Sequence, residues 1–338
     1  MGFDAVLGQD NAKRLIRAAF ENGRLGHAYL FAGPDGVGKT LFALETAKLL
    51  FCRGGAERPC GECSDCRRVD HGRHPDLLLV AAAEGKRIIG IKQAREIGQY
   101  LALKPVEAER RVVIVREAER LSDEAANSLL KTLEEPSSFG FLILTASRPR
   151  SLPDTVQSRC QRIPFSPLSA EHVETILSRR LDLESGAIRF ASRFAEGSAG
   201  NALRTLELEC VPTFGETMAA LLDLPSGEPL ALADVLHDWA RAASKTLEPQ
   251  RERLREMLRL IACCYRDALL AAAGGEAKEM FHADAAPRLA ALGRRLGRSR
   301  LLRIFDALWD ARRDTDANVA IGLVLDNLFT RIAELQAA

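Results

Sequence analysis

The sequence predicts an α/β P-loop domain, a parallel sheet with helices on both faces, followed by an all-α region. Three observations carry this prediction. Gly33-Pro34-Asp35-Gly36-Val37-Gly38-Lys39-Thr40 fits the phosphate-binding pattern G-x-x-x-x-G-K-[ST]. Apolar runs alternate with helical periodicities through residues 27–165, the order that builds a parallel sheet with crossover helices. From Pro167 onward the periodicity is almost wholly helical.

The totals set the frame. The chain has 338 residues, 47% apolar and 28% charged, with a formal net charge of +1. That length exceeds one compact core and predicts two or three domains. A near-neutral balance gives no basis for a strongly basic nucleic-acid binder acting alone. The first ten residues lack a basic stretch followed by an apolar one, and no run of about 18 apolar residues occurs. A cytoplasmic protein with no membrane span is expected, and its eight cysteines should be thiols or metal ligands rather than disulfides.

Taken in order, Phe3–Gln9 precedes a helix over about Asn11–Asn22, with Leu15, Ile16, Ala19 and Phe20 on its apolar face. Ala28–Ala32 reads as the strand entering the glycine loop, and Leu41–Leu50 as part of the helix leaving it. This context separates a nucleotide site from a glycine turn that binds nothing. The glycines let backbone N–H groups converge on phosphate oxygens at a helix N-terminus. Lys39 would reach the β- and γ-phosphates and Thr40 would ligate Mg²⁺.

Cys52, Cys60, Cys63 and Cys66 follow, spaced C-x7-C-x2-C-x2-C. Four soft ligands with two-residue gaps suit a closed tetrahedral Zn²⁺ site, structural rather than catalytic. The alternative is free thiols in a loop. His71 and His74 are expected at the surface. Leu77–Val80 is a strand bounded by Pro75. Ile91–Leu103 is a helix whose apolar face holds Ile91, Ala94, Ile97 and Leu101. Val112–Val115, four β-branched residues, suits a central parallel strand.

In P-loop ATPases such a strand usually ends in two acidic residues, one serving Mg²⁺ and one serving the attacking water. Here it ends in Arg116-Glu117-Ala118-Glu119. Arginine keeps its charge and would repel the cation. Ser122 is placed to cap the next helix, in which Leu129, Leu130 and Leu133 face inward and which Pro136 ends. Phe141–Ser147 is a further strand, with Thr145 and Ser147 at the edge where open sheets bind ligands. A helical run, then Ser158-Arg159-Cys160, leads to a short strand over Arg162–Phe165.

Beyond Pro167, residues about 169–208 form a small helical unit containing Ala199–Leu203. Cys210–Gly215 reads as a linker, and the rest as a helical bundle with turns at Leu224–Pro229 and Gly274-Gly275. Trp239 and Trp309 are expected as core or interface anchors, and Cys263 and Cys264 as small buried hydrophobes.

Together these residues resemble the bacterial clamp-loader family of AAA+ proteins. The resemblance is carried by Gly8-Gln9, the P-loop, the four cysteines, His74-Pro75-Asp76, Leu129-Leu130-Lys131-Thr132-Leu133-Glu134-Glu135-Pro136, Leu152-Pro153 and Ser158-Arg159-Cys160-Gln161. It is specific over residues 3–208 and compatible in length and helicity beyond. It implies an AAA+ nucleotide-binding domain over 1–166 with a zinc-binding insert at 52–66, a helical lid over 167–209, and a helical collar for oligomerisation over 210–338.

The resemblance also assigns roles. Phe3–Gln9, with Val6, Gly8 and Gln9, would line the adenine side of the nucleotide site. Ser147 falls at the sensor-1 position. Arg159 would be an arginine finger, acting in trans on ATP held by a neighbouring subunit; the plainer alternative is a salt-bridged interface arginine. Zn²⁺ would be structural, and ATP or ADP would occupy the P-loop, with Mg²⁺ left open. The implied partners are tau/gamma and delta subunits in a hetero-pentamer, with the sliding clamp and primer-template DNA reached through the assembly.

Two departures matter. A hydrolysing member would carry Asp at 116 and an arginine at 200, within Gly197-Ser198-Ala199-Gly200-Asn201-Ala202-Leu203; here Arg116 and Gly200 stand there. The expectation is a chain with weak or no ATPase and no polymerase activity of its own, which nevertheless serves the DNA polymerase III holoenzyme. Two competing readings are an ATP-hydrolysing tau/gamma-like motor and an unrelated P-loop kinase with a zinc-braced insert. The first is opposed by Arg116 and Gly200. The second leaves Ser158-Arg159-Cys160 and the helical C-terminal third unexplained.

Overall fold

The computed structural model describes residues 2–55, 58–83, 88–224, 228–276 and 280–337. They divide into two compact units. The first is Met1–Ile176 with Gly197–Gly200, and the second is Leu177–Glu196 with Asn201–Ala338.

The first unit is built on five parallel strands, β1 (Ala28–Ala32), β2 (Leu77–Val80), β3 (Arg111–Val115), β4 (Gly140–Ala146) and β5 (Gln161–Pro164), in the order β2-β3-β4-β1-β5. β1, β3 and β4 are buried at every position, which is why their sequences are continuously apolar rather than alternating. The two-residue period of a strand deals their side chains to opposite faces. Leu30, Val113, Val115, Leu142 and Leu144 go to one core with Ala94, Ile97, Leu129 and Leu133. Those partners lie on α4 (Ile91–Ala102) and α5 (Asp123–Glu134). Tyr29, Phe31, Val112, Ile114, Phe141 and Ile143 go to the other core with Phe3, Phe42 and Phe165. Phe42 lies on α2 (Lys39–Phe51), and Phe3 in a 3-10 turn over Gly2–Ala5. The Phe3 and Phe42 rings meet at 5.0 Å, and Phe31 and Phe165 at 5.4 Å.

Capping follows the sequence. Ser122 Oγ accepts from the Ala125 N–H at the start of α5. The first helix, α1 (Asp10–Glu21), buries Ala12 and Ile16. Leu15, expected on that face, is exposed, because the buried stripe runs i, i+4 from Ala12. Along α4, Ala94, Ile97 and Leu101 are buried, whereas Ile91 at its first residue is exposed.

The remaining helices are α3 (Ser64–Asp70), α6 (Asp154–Gln157), α7 (Ala170–Arg180), α8 (Ser185–Arg193), α9 (Ala199–Glu207), α10 (Cys210–Leu222), α11 (Pro229–Ala242), α12 (Leu247–Ala272), α13 (Ala286–Asp316) and α14 (Ile321–Ala337). The second unit has one core, drawn mainly from α10 to α14 and including Phe194. Cys210–Gly215 is not a linker but the start of α10, with Cys210 and Phe214 fully buried. Pro212 is the third residue of that helix, where no intrahelical N–H bond is lost. Cys263 and Cys264 are buried. Trp239 is half-buried with the Arg253 guanidinium 5.2 Å from its ring. Trp309 is not in the core: it is 73% exposed, on the outward side of α13. The turn at Gly274-Gly275 is present, with Gly274 at φ +84°. That at Leu224–Pro229 falls on residues 225–227, outside the described residues. Among the described residues no helix is long and apolar enough to cross a membrane.

Candidate functional site

The glycine loop sits where β1 ends and α2 begins, at the carboxyl edge of the sheet. Gly36 and Gly38 have φ of +69° and +98°, values that side chains rarely adopt. Gly33 must lack a side chain because a β-carbon there would lie 2.2 Å from the Phe165 carbonyl oxygen. Lys39 is buried, and its Nζ donates to the Gly33 and Pro34 carbonyls at 2.7 and 2.5 Å. Burial draws its pKa down, while Asp35, Glu119 and Glu117 oppose that shift. The ammonium is therefore held by loop carbonyls, with Asp35, Glu117 and Glu119 near enough to act on it electrostatically.

The N-terminal segment closes one side of the loop. Val6 is buried and would touch a β-carbon at Gly38 at 3.8 Å. Gly8 and Gln9 both have positive φ. The Gln9 amide donates to the Ser166 carbonyl at 2.7 Å and to the Val37 carbonyl at 3.4 Å, and accepts from the Ser166 N–H at 3.0 Å. Gln9 thus ties the segment to the P-loop and to the chain leaving β5. A β-carbon at Gly8 would lie 2.9 Å from Leu168 and 3.5 Å from His172 Nδ1. His172 carried no signal in the sequence.

At the acidic end of β3 the structure separates residues that are adjacent in sequence. Arg116 is exposed, its N–H donating to the Val80 carbonyl. Glu117 has φ +51°, its N–H donates to Thr145 Oγ1 at 3.2 Å, and its carboxylate pairs with Arg120 at 2.5 Å. Glu119 is the acid that reaches Ser147. It accepts from the Ser147 N–H at 3.0 Å and from Ser147 Oγ. Burial pushes its carboxyl up, but the Ser147 hydroxyl and nearby backbone N–H groups outweigh this and hold it below the ordinary value. The position of Glu119 in the chain is the only sequence signal for this role.

Gly200 lies directly on the P-loop. Its N–H donates to the Gly36 carbonyl at 3.2 Å. A β-carbon at 200 would sit 2.9 Å from Gly36 Cα. Backbone meets backbone because neither residue has a side chain.

Arg159 follows α6. Its Nη2 pairs with Glu134 Oε1 at 2.7 Å and its Nη1 donates to the Thr155 carbonyl at 2.9 Å. The side chain remains 36% exposed, so the guanidinium is anchored yet accessible.

The four cysteines converge. Cys52 Sγ lies 3.5 Å from Cys60 Sγ and 4.0 Å from Cys63 Sγ, and Cys60 Sγ lies 4.0 Å from Cys66 Sγ. All four sulfurs lie within 4.8 Å of one another. Tetrahedral zinc with Zn–S near 2.3 Å requires sulfur–sulfur edges of about 3.8 Å, so the set fits. Backbone N–H groups of Gly54, Cys60, Cys63 and Cys66 point at sulfurs. Those of Glu62 and Cys63 draw the Cys60 thiol down to about 6, favouring its thiolate, while burial pushes the Cys52 and Cys66 thiols up.

His74 is buried, not at the surface as expected. Its ring stacks on Phe51 with centroids 4.1 Å apart, and Nδ1 accepts from the Asp76 N–H at 3.1 Å. That leaves Nε2 to face Asp65 at 3.5 Å. Asp65, on α3, also pairs with Arg68 at 2.5 Å. His71 is exposed as expected. Buried His74 and Asp65, with Arg68 at the edge, therefore underlie the cysteine module, and only its His-Pro-Asp part was legible in the sequence.

The family described as "DNA polymerase III, delta subunit" matches residues 8–169. The chain is 32% identical over 282 residues to DNA polymerase III subunit delta' of Bacillus subtilis, covering 81% of this chain and 80% of that one. It is 32% identical over 229 residues to subunit delta' of Escherichia coli, covering 67% and 68%. Subunit tau of B. subtilis is 31% identical over 266 residues, 75% of this chain but 46% of tau.

Proposed function

Because the chain belongs to the family of DNA polymerase III delta' clamp-loader subunits, we propose that it completes a neighbouring subunit's ATP site while turning over little ATP itself. The observation that carries this reading is the state of its own site. The P-loop is intact, but the cation Arg116 stands at the metal-side position and Gly200 stands in for an arginine that would read the γ-phosphate. Loss of either kind of group typically costs orders of magnitude in phosphoryl transfer. Arg159, anchored and accessible, is the group this chain would offer in trans.

On this reading Gly33–Thr40 hold ATP or ADP, with Val6, Gly8 and Gln9 on the adenine side. Mg²⁺, when bound, would be held through the Thr40 hydroxyl and would supply positive charge to the phosphates. The chain's own groups position rather than react: Lys39 pairs with phosphate oxygens and Ser147 is fixed by Glu119. Cys52, Cys60, Cys63 and Cys66 hold a structural Zn²⁺. Residues 167–209 act as lid and 210–338 as collar. The partners are tau/gamma and delta subunits in a hetero-pentamer, which places the sliding clamp on primer-template DNA in the cytoplasm.

The motor reading draws on the intact Lys39 and Thr40 and on the similarity to tau. Assaying the purified chain alone for DNA-stimulated ATP hydrolysis separates the two. The expected outcome is no turnover that depends on Lys39. Robust turnover abolished by Lys39→Ala would make the chain a motor.

A further inference from the structure

The guanidinium of Arg159 is held between two elements. On one side Nη1 donates to the Thr155 carbonyl of α6 at 2.9 Å and lies 3.4 Å from Ser158 Oγ. On the other, Nη2 meets Oε1 of Glu134, the last residue of α5, at 2.7 Å. Glu134 and Glu135 lie at the end of a helix, where the backbone dipole disfavours anions and favours a cation. Among the described residues Arg159 Nε makes no hydrogen bond. Nε–H is thus the donor of the fork left for an incoming acceptor.

We infer that Glu134 is a positioning residue for Arg159, presetting the guanidinium for the triphosphate of an ATP presented by another subunit. The inference rests on the reading of Arg159 as a finger acting in trans. Arginine has a long, flexible stem, and fixing it at the moment of reaction costs entropy that a preset side chain has already lost. Thr155 holds Nη1 and Glu134 holds Nη2, so the guanidinium is held at two nitrogens while Nε–H stays available. The Glu134 side chain is 50% exposed, and an exposed pair is weak. Its negative charge therefore orients the finger without holding it against a polyphosphate.

The test is ATP turnover by the chain reconstituted with its partner subunits, across a range of ATP concentrations. Wild type is compared with Glu134→Ala, Glu134→Asp, Arg159→Ala and the double variant Glu134→Ala/Arg159→Ala. Arg159→Ala should lower kcat about tenfold or more. Glu134→Ala should lower kcat roughly threefold, the scale of an exposed ion pair, with KM unchanged. Glu134→Asp should recover most of that loss, and in the Arg159→Ala background the Glu134 change should add nothing. The isolated Glu134→Ala chain should melt like wild type. If Arg159→Ala lowers kcat while Glu134→Ala does not, the positioning role is wrong and the finger stands. A Glu134 effect that persists without Arg159 also overturns it, since the carboxylate then acts elsewhere. Unchanged turnover in Arg159→Ala overturns finger and positioning role together.

Discussion

Asp76 has no solvent exposure, yet its carboxylate organises a whole loop. It accepts from the N–H groups of Val106, Glu107 and Ala108 at 2.7, 2.8 and 2.9 Å, with Arg111 Nε at 3.8 Å. Burial raises its pKa, but the three N–H groups and Arg111 outweigh this and hold it below the ordinary value. Because the folded pKa lies below the unfolded one, its contribution is complete above about pH 4 and is lost as pH falls through the folded value. Asp76→Asn should cost about 3 kcal/mol near neutrality. Urea unfolding at a series of pH values should also show a shallower acid limb in the variant; parallel acid limbs would refute the assignment. Gly200 makes a second case at this scale. Because a β-carbon there would meet Gly36 Cα at 2.9 Å, an arginine at 200 enters only if backbone moves. Gly200→Arg should therefore leave ATP turnover of the isolated chain at the wild-type level in a phosphate-release assay. A tenfold rise would mean that the contact yields easily.

At the scale of elements, what the sequence made legible and what it hid follow a physical division. β1 and β2 have the expected bounds, and β3 begins one residue early, because central parallel strands are buried on both faces and read as unbroken apolar runs. The P-loop and the cysteine cluster were legible because local spacing alone brings their groups together. α10 was hidden by Pro212 and Gly215, which read as loop residues; a first-turn proline and burial of Cys210 and Phe214 override that propensity. The acid that reaches Ser147 was hidden for another reason. Glu117 and Glu119 are equivalent by composition, and only the left-handed turn at Glu117 (φ +51°) sends Glu117 to Arg120 and Glu119 to Ser147. Burial of His74 and exposure of Trp309 likewise depend on neighbours distant in sequence.

For the whole molecule, two separate sets of core residues govern how it should come apart. The cores of the first unit draw on residues between Phe3 and Phe165, and that of the second on residues between Phe194 and Leu335, with no residue in common. Multi-domain chains of this kind need not unfold in one step. Phe214 is fully buried, with the Phe190 and Phe194 rings each 5.3 Å away. Phe214→Ala should cost about 3–5 kcal/mol, and the cost should fall on the second unit. Native-state hydrogen exchange reads this directly, because each amide reports the opening of its own cooperative unit. Phe214→Ala should lower protection along α10 and α12 and leave β1, β3 and β4 at wild-type protection. Asp76→Asn should do the reverse. The double variant should show both losses, each within about 0.5 kcal/mol of its single-variant value, as expected for sites with no shared partner. If either substitution lowers protection equally in both sets of elements, the two cores form one cooperative unit and the chain unfolds as a single body.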